Sequence, residues 1–399
     1  MEPERSSALR VGVLLAGVGG VGRAFVRVLQ ERFCTMEVQV RVVAVGDSKG
    51  FVAAPPSATE QHHGFAWNDV AAILDHKKCG HAIASWRSTA SLSTGLVFDE
   101  LVGALQHFHA QRDLDDYVVV DCTSSTAIAP ALITARELGF AVVMANKLPV
   151  AGPFEQYKQL MHGAKGRVRY EATVGAGLPM VSVIQRIMAS RDSVTMIQGG
   201  LSGTMTCVLS EMNRYETPGS LLCALATLSM CSRYARGASF SAALTQAHEL
   251  GITENDPRED LSGADVVRKM VILAREIGLA VETSDVEIAP LLPQEAFHVP
   301  ADEFMRSLHA YGEGVVCCKR MDGSADTHHA PPPAFNARLL AANSEGCALA
   351  YVGTAHADGR IRVGLEHVPP SSHFATASSK CRWWCPVYLT QSLHCPHYM

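Results

Sequence analysis

The sequence predicts an α/β chain: a doubly wound parallel sheet at the N-terminal side, followed by a second, α+β domain. Three observations lead there. Apolar runs of strand length alternate with segments of helical periodicity through residues 8–150. A glycine-rich turn, Gly17-Val18-Gly19-Gly20-Val21-Gly22, stands between the first strand and the first helix. Beyond residue 150 the rhythm changes, ending on a hairpin signal at Asp358-Gly359.

Taken in order, Leu9 to Ala16 is an apolar run of buried-strand length and Val21 to Phe33 carries apolar residues at helical spacing. Val38 to Val45 reads as a second strand, ending at Gly46-Asp47, and Trp67 to Asp75 and Phe98 to His109 read as helices. Tyr117 to Cys122 is a third strand, Ile128 to Leu138 a helix and Phe140 to Ala145 a strand. Such alternation implies right-handed crossovers and a parallel sheet covered on both faces. In the second half, Val168 to Glu171 and Val194 to Gly200 read as strands, and Ser241 to Leu250 and Leu261 to Gly278 as helices. Ala348 to His356 and Arg360 to His367 flank the hairpin turn. The expected domains are 8–150 and 151–376, with Tyr215 to Ala238 as an insert rich in Leu, Ala, Cys and Met. The stretch 377–399 shows neither helical nor alternating periodicity and reads as an aberrant tail with no packed element.

Composition excludes several classes. Among 399 residues, 34 Lys plus Arg against 39 Asp plus Glu leave a net charge of -5, which argues against a nucleic-acid surface. No apolar run reaches the ~18 residues of a membrane helix, and the N-terminus lacks the apolar core of a secretory signal. The 12 cysteines form no C-x-x-C pair and read as free thiols of a reducing compartment. A cytoplasmic location is expected.

Gly17 to Gly22 follows a strand and opens a helix, the arrangement in which backbone N–H groups and a helix N-terminus receive a pyrophosphate. A Rossmann-type, NAD(P)-binding domain is therefore expected. Asp47, ending the second strand, suits an adenosine ribose, whereas Lys49 suits a 2′-phosphate, so NAD and NADP both remain open. Thr123, Ser124 and Lys147 follow strand ends, where ligands sit in open parallel sheets. Glu171 and the turn Val174-Gly175-Ala176-Gly177-Leu178 read either as a plain tight turn or as a hard-cation site built on carbonyl oxygens. Asp265 and Lys269, four apart, share a helix face. They read either as an exposed ion pair or as an acid beside a lysine whose pKa is lowered in a partly closed cleft.

Three longer motifs together resemble the homoserine dehydrogenase family: Tyr170 to Pro179, Gly200 to Thr204, and Thr253 to Lys269. The resemblance spans about Leu9 to Ala375 and implies reduction of aspartate 4-semialdehyde to homoserine with NADPH or NADH, on the path to threonine and methionine. It implies Lys269 as proton donor, with Asp265 beside it, and Lys147 at the nicotinamide end. Glu254, Asp260, Asp265, Gly203 and Thr204 would hold the amino-acid substrate, and the backbone at Gly251 would pass close to the nicotinamide. It also implies a sodium ion on Glu171 and the carbonyls of Val174, Ala176 and Leu178. The second domain would bind substrate and form a homodimer through its sheet.

Four features depart from the family pattern. Ile252 stands where tyrosine is usual and Asn255 where proline is usual, and the segment 215–238 is longer than expected. After Thr376 the family's glycine-rich turn and final helix are absent, which makes an inactive or unstable form that at most binds cofactor the alternative expectation. No kinase domain is expected upstream, because the glycine-rich turn begins at residue 17.

Overall fold

A computed structural model describes residues 8–32, 38–55, 64–87, 96–111, 113–163, 166–213, 239–254, 256–289, 291–292, 294–308, 341–342, 344–376 and 387–392. The chain divides into two compact units, residues 1–181 and 182–399.

In the first unit the order is β1 (Leu9–Ala16), α1 (Gly20–Arg32), β2 (Val38–Asp47), β3 (Gly50–Ala53), α2 (Trp67–Lys78), β4 (Leu96–Phe98), α3 (Leu101–Gln111) and β5 (Asp116–Asp121). There follow α4 (Ala129–Glu137), β6 (Ala141–Met144), α5 (Leu148–Ala151), α6 (Phe154–Met161) and β7 (Val168–Arg169). The strands order as β4-β3-β2-β1-β5-β6-β7, with β2, β1, β5, β6 and β7 parallel. Val13 and Leu15 of β1 join Val26 and Leu29 of α1 and Val70 and Ile73 of α2 in one apolar cluster. Leu14, one residue out of phase, is equally inaccessible on the opposite face, as a sheet covered on both sides requires.

Two expectations change here. Phe98 belongs to a strand rather than to the following helix, and β3 and β4 add an antiparallel edge. Segments of three or four residues are too short for periodicity to announce, and their pairing comes from neighbouring chain.

The second unit continues from α7 (Met180–Ala189), whose first two residues belong to the first unit, to β8 (Ser193–Gly199), α8 (Gly203–Met212), α9 (Phe240–Glu249), α10 (Pro257–Leu261) and α11 (Ala264–Glu276). Then come β9 (Glu287–Ile288), α12 (Ala301–Arg306), β10 (Ala348–His356), β11 (Ile361–Val368), α13 (His373–Thr376) and β12 (Val387–Ser392). Its sheet orders β12-β8-β10-β11-β9, antiparallel except for the β9–β11 pair. The hairpin closes on Gly359 (φ 94°), with His356 N–H donating to the Arg360 carbonyl at 2.9 Å.

The helix expected from Leu261 to Gly278 is found as α11 but starts only at Ala264, and Leu261 closes the short α10 before it. Gly263 adopts φ 75°, and a Cβ there would collide with the Tyr351 hydroxyl, so the chain turns before α11 starts. Residues 377–399 are also not wholly without structure: Val387 to Ser392 pairs along β8. Val387-Tyr388-Leu389-Thr390 suits a strand by residue type, and the edge of β8 supplies the partner that sequence could not name. The insert 215–238 lies outside the described residues.

Candidate active site

In the first unit, β1 delivers the chain to Gly17, whose N–H donates to the Gly46 carbonyl at 2.9 Å with φ 89°. A Cβ at Gly17 would run into the Cys122 backbone, and one at Gly22 into the Gly17 carbonyl oxygen. Those two glycines are therefore required by packing. Gly19 and Gly20 differ: both are exposed, and a Cβ on either meets no atom within 4 Å. Val18 is buried and Val21 exposed, so the turn is anchored below and open above, at the N-terminus of a 13-residue helix. This arrangement fits a dinucleotide pyrophosphate, which needs close backbone approach and unpaired N–H groups.

Asp47 ends β2 as expected, but its carboxylate is committed within the unit. Oδ1 accepts the Lys49 backbone N–H at 2.8 Å, and Oδ2 accepts Lys77 Nζ at 2.7 Å and Ile83 N–H at 3.3 Å. Burial pushes the carboxyl up, but the Lys77 hydrogen bond, the two amides and the Lys77 charge together bring it below the ordinary carboxylate range. Lys77, thirty residues away in sequence, is the ammonium at this acid; Lys49 contributes its backbone.

Thr123, Ser124 and Lys147 emerge at the carboxyl ends of β5 and β6, joined by two residues that sequence reasoning did not single out. Asn146, buried, donates from Nδ2 to Asp121 Oδ2 (3.0 Å), Thr123 Oγ1 (3.1 Å) and the Ser125 carbonyl (2.9 Å). Asp121, wholly inaccessible, also accepts the Thr123 N–H at 2.8 Å. Burial raises the Asp121 carboxyl in spite of these donors, and raises the adjacent Cys122 thiol to about 11. The available signal was an acid closing the apolar run Tyr117 to Val120. Lys147 is half-buried and caps α5.

Around Glu171 the backbone takes two successive left-handed conformations, Gly175 at φ 76° and Ala176 at φ 53°. Glu171 Oε1 accepts the Val181 N–H at 2.8 Å, and the Leu178 carbonyl accepts the Met180 N–H at 2.9 Å. A non-glycine residue at positive φ is uncommon and marks an over-determined turn. The carbonyls of Val174, Ala176 and Leu178 thus belong to one tightly turned loop with an acid at its entry.

In the second unit the structure brings the expected residues together at the start of α8. Ser202 caps that helix through Met205 N–H (3.1 Å), leaving Gly203 exposed in the first turn and Thr204 buried. Thr204 Oγ1 lies 2.9 Å from Asp260 Oδ1 and 3.2 Å from the Ile252 carbonyl, two acceptors for one hydroxyl proton. Asp260 Oδ2 accepts the Glu254 N–H at 2.8 Å. Burial raises the Asp260 carboxyl; the Glu254 amide and Thr204 oppose that, and the negative charges of Glu254 and Asp265 add to it. Lys269 Nζ lies 2.7 Å from Asp265 Oδ2 and donates to the Leu201 carbonyl at 2.7 Å. Gly251, at φ 65°, opens the loop that carries Ile252 and Glu254.

The helix that carries Lys269 is closely packed. Gly353 of β10 has no side chain where Met270 packs, and Arg275, buried at the other end of α11, donates to the Val281 carbonyl at 2.8 Å. Arg258 clamps the acidic loop, bonding Asp256 and the Val299 carbonyl, with its guanidinium 5.9 Å from the Phe304 ring centroid. Ile252, the departure from the family pattern, contributes its backbone carbonyl, which any side chain would supply. Neither the Leu201 nor the Ile252 carbonyl was legible beforehand, because main-chain acceptors carry no residue-type signal.

Comparisons with known proteins bear on the descent and the fold of the chain. The homoserine dehydrogenase family model matches residues 179–383, and the model for the homoserine dehydrogenase NAD-binding domain matches residues 17–170. A bifunctional aspartokinase/homoserine dehydrogenase of Haemophilus influenzae is 29% identical over 366 residues, covering 90% of this chain and 36% of that protein. The chloroplastic bifunctional aspartokinase/homoserine dehydrogenase 2 of Arabidopsis thaliana is 34% identical over 221 residues, covering 54% of this chain and 22% of that one. The chain thus spans well under half the length of these relatives. Among solved structures, a putative homoserine dehydrogenase from Archaeoglobus fulgidus aligns with TM-score 0.62 at 18% identity, over 97% of this chain and 91% of that one. A hyperthermophilic archaeal homoserine dehydrogenase in complex with NADPH aligns with TM-score 0.55 at 18% identity, over 92% and 84%. At that identity the structures speak for the fold, and the two family models, which together take in nearly all of the described chain, speak for descent: the chain belongs to the homoserine dehydrogenase family.

Proposed function

We propose that the chain interconverts L-homoserine and L-aspartate 4-semialdehyde with NAD(P), a step toward threonine and methionine. The observation that carries the reading is the Lys269 ammonium, held 2.7 Å from both Asp265 and the Leu201 carbonyl beside the exposed first turn of α8. The nicotinamide supplies or accepts the hydride. Lys269 answers the charge that builds on the aldehyde oxygen by donating its proton, and takes that proton back in the oxidative direction. Asp265 holds the lysine in position. Asp260 and Glu254 face the substrate ammonium, whose positive charge favours the ionised form of a carboxyl that burial otherwise pushes up. The amides of Gly203 and Thr204 receive the substrate carboxylate.

The remaining assignments rest on the resemblance and on local geometry. Gly17 to Gly22, Thr123 and Ser124 hold the cofactor, with Lys147 at its nicotinamide end. Glu171 and the carbonyls of Val174, Ala176 and Leu178 hold a monovalent cation, sodium, as oxygen ligands suit a hard ion. A homodimer through the second unit's sheet and a cytoplasmic location complete the reading, and among the described residues no helix is long and apolar enough to cross a membrane. The alternative of a chain that only binds cofactor is not favoured by matches to both family models. The test is to express the full chain and follow NADPH or NADH formation from L-homoserine at alkaline pH, against Lys269→Ala. Absence of homoserine-dependent reduction in the folded wild type defeats the proposal.

A further inference from the structure

We infer that Asn146, together with Asp121, is a positioning residue that fixes the loops at the carboxyl ends of β5 and β6 for the nicotinamide half of the dinucleotide. The inference rests on the NAD(P)-binding reading of the first unit. β1 is flanked by β2 on one side and β5 on the other, so the crevice between β1 and β5 is where strand order reverses and where a dinucleotide crosses. The Gly17 turn lies on that crevice, and the Cys122 N–H donates to the Ala16 carbonyl at 2.7 Å. Asp47, at the end of β2, marks the adenosine side. The other half of the molecule therefore falls on the side of β5 and β6.

Those two strand ends are tied by a single buried carboxamide. Asn146 Nδ2, with two hydrogens, has three acceptors within 3.1 Å: Asp121 Oδ2, Thr123 Oγ1 and the Ser125 carbonyl. Its Oδ1 accepts the Leu148 N–H at 3.1 Å, which sets the turn carrying Lys147. Asp121 completes the frame, accepting Thr123 N–H through its carboxylate at 2.8 Å and Ala145 N–H through its backbone carbonyl at 2.9 Å. One side chain thus sets the path of the 123–125 loop, exposed at Ser124 and Ser125, and the same side chain sets the start of α5. Asp121 is a fully inaccessible acid and Asn146 only 4% exposed, so neither reaches a ligand itself. A carboxylate is costly to bury, and here its donors are the loop and the carboxamide that hold this end of the sheet.

The test measures dissociation constants of the full chain for NADPH, NADH and ADP, which lacks the nicotinamide half, alongside thermal unfolding. Asn146→Ala should weaken the preferred dinucleotide at least about tenfold, the scale of a lost hydrogen bond to a charged group, with ADP affinity within about twofold of wild type. Asn146→Asp keeps the volume and the acceptor for Leu148 but loses the donor beside Asp121, and should show the same split. The exchange Asp121→Asn with Asn146→Asp restores a carboxamide–carboxylate pair and should recover part of the dinucleotide affinity. A parallel fall in ADP and dinucleotide affinity, or a lowered Tm with both affinities intact, overturns the inference. If Asn146→Ala does not fold, the same split is read from Asn146→Asp and the exchange. Failure of the wild type to bind either dinucleotide defeats the cofactor reading itself and is distinct from these outcomes.

Discussion

Lys269 Nζ donates to the Leu201 carbonyl at 2.7 Å, a main-chain oxygen that stands one residue before the cap of α8. The second contact of that ammonium, Asp265 at i−4, lies on its own helix. The lysine is thereby aimed at the first turn of α8 rather than lying along α11, and an i,i+4 pair that would be worth a few tenths of a kcal/mol on a free helix becomes one edge of a fixed triangle.

Replacing Lys269 by alanine should lower turnover with homoserine by about 10²–10⁴-fold, the usual contribution of a positioned acid–base group. Cofactor affinity should stay within about twofold, because the glycine-rich turn of the first unit is untouched. Steady-state kinetics with a parallel fluorescence titration of NADPH checks both. Near-normal kcat would remove Lys269 from its role.

Thr204→Val keeps the shape of the buried side chain while withdrawing the hydroxyl from Asp260 and the Ile252 carbonyl. The lost donor should cost about 1–3 kcal/mol at Asp260, read as a roughly tenfold or larger rise in KM for homoserine with a smaller change in kcat. An unchanged KM would show that Thr204 does not support the substrate acids.

Gly19 and Gly22 should behave oppositely. Gly22→Ala drives a methyl into the Gly17 carbonyl and should lower Tm as well as dinucleotide affinity. Gly19→Ala meets no atom within 4 Å and should leave Tm within about a degree while weakening the dinucleotide about tenfold or more, because only a bound pyrophosphate needs that space. Equal Tm losses for the two variants would contradict the open upper face of the turn.

Asp47 titrates below the ordinary carboxylate range, so the folded state favours its ionised form. Its contribution to stability is present above the unfolded value of ~4 and is lost as the pH falls through the lower folded value. The difference in Tm between wild type and Asp47→Asn should therefore be constant from about pH 6 to 7 and shrink on acidification below ~4. A difference that grows on acidification would show that the Lys77 pairing does not favour the ionised acid.

Residue order alone specifies the first domain's strand alternation and the glycine turn, because a period-2 or fully apolar strand and a 3.6-residue helix leave distinct marks in it. It also determined the ionisable residues of the second unit, since Glu254, Asp260, Asp265 and Lys269 fall within one short run. What those groups face is set by packing between distant segments. Leu201 and Ile252 act through carbonyls, Lys77 reaches Asp47 across thirty residues, and Asn146 meets Asp121 across twenty-five; β12 needs the free edge of β8. Each of these depends on a contact between segments distant in the chain, and a hydrogen bond of 3 Å is fixed by how helices and strands pack, which residue order along one segment does not encode.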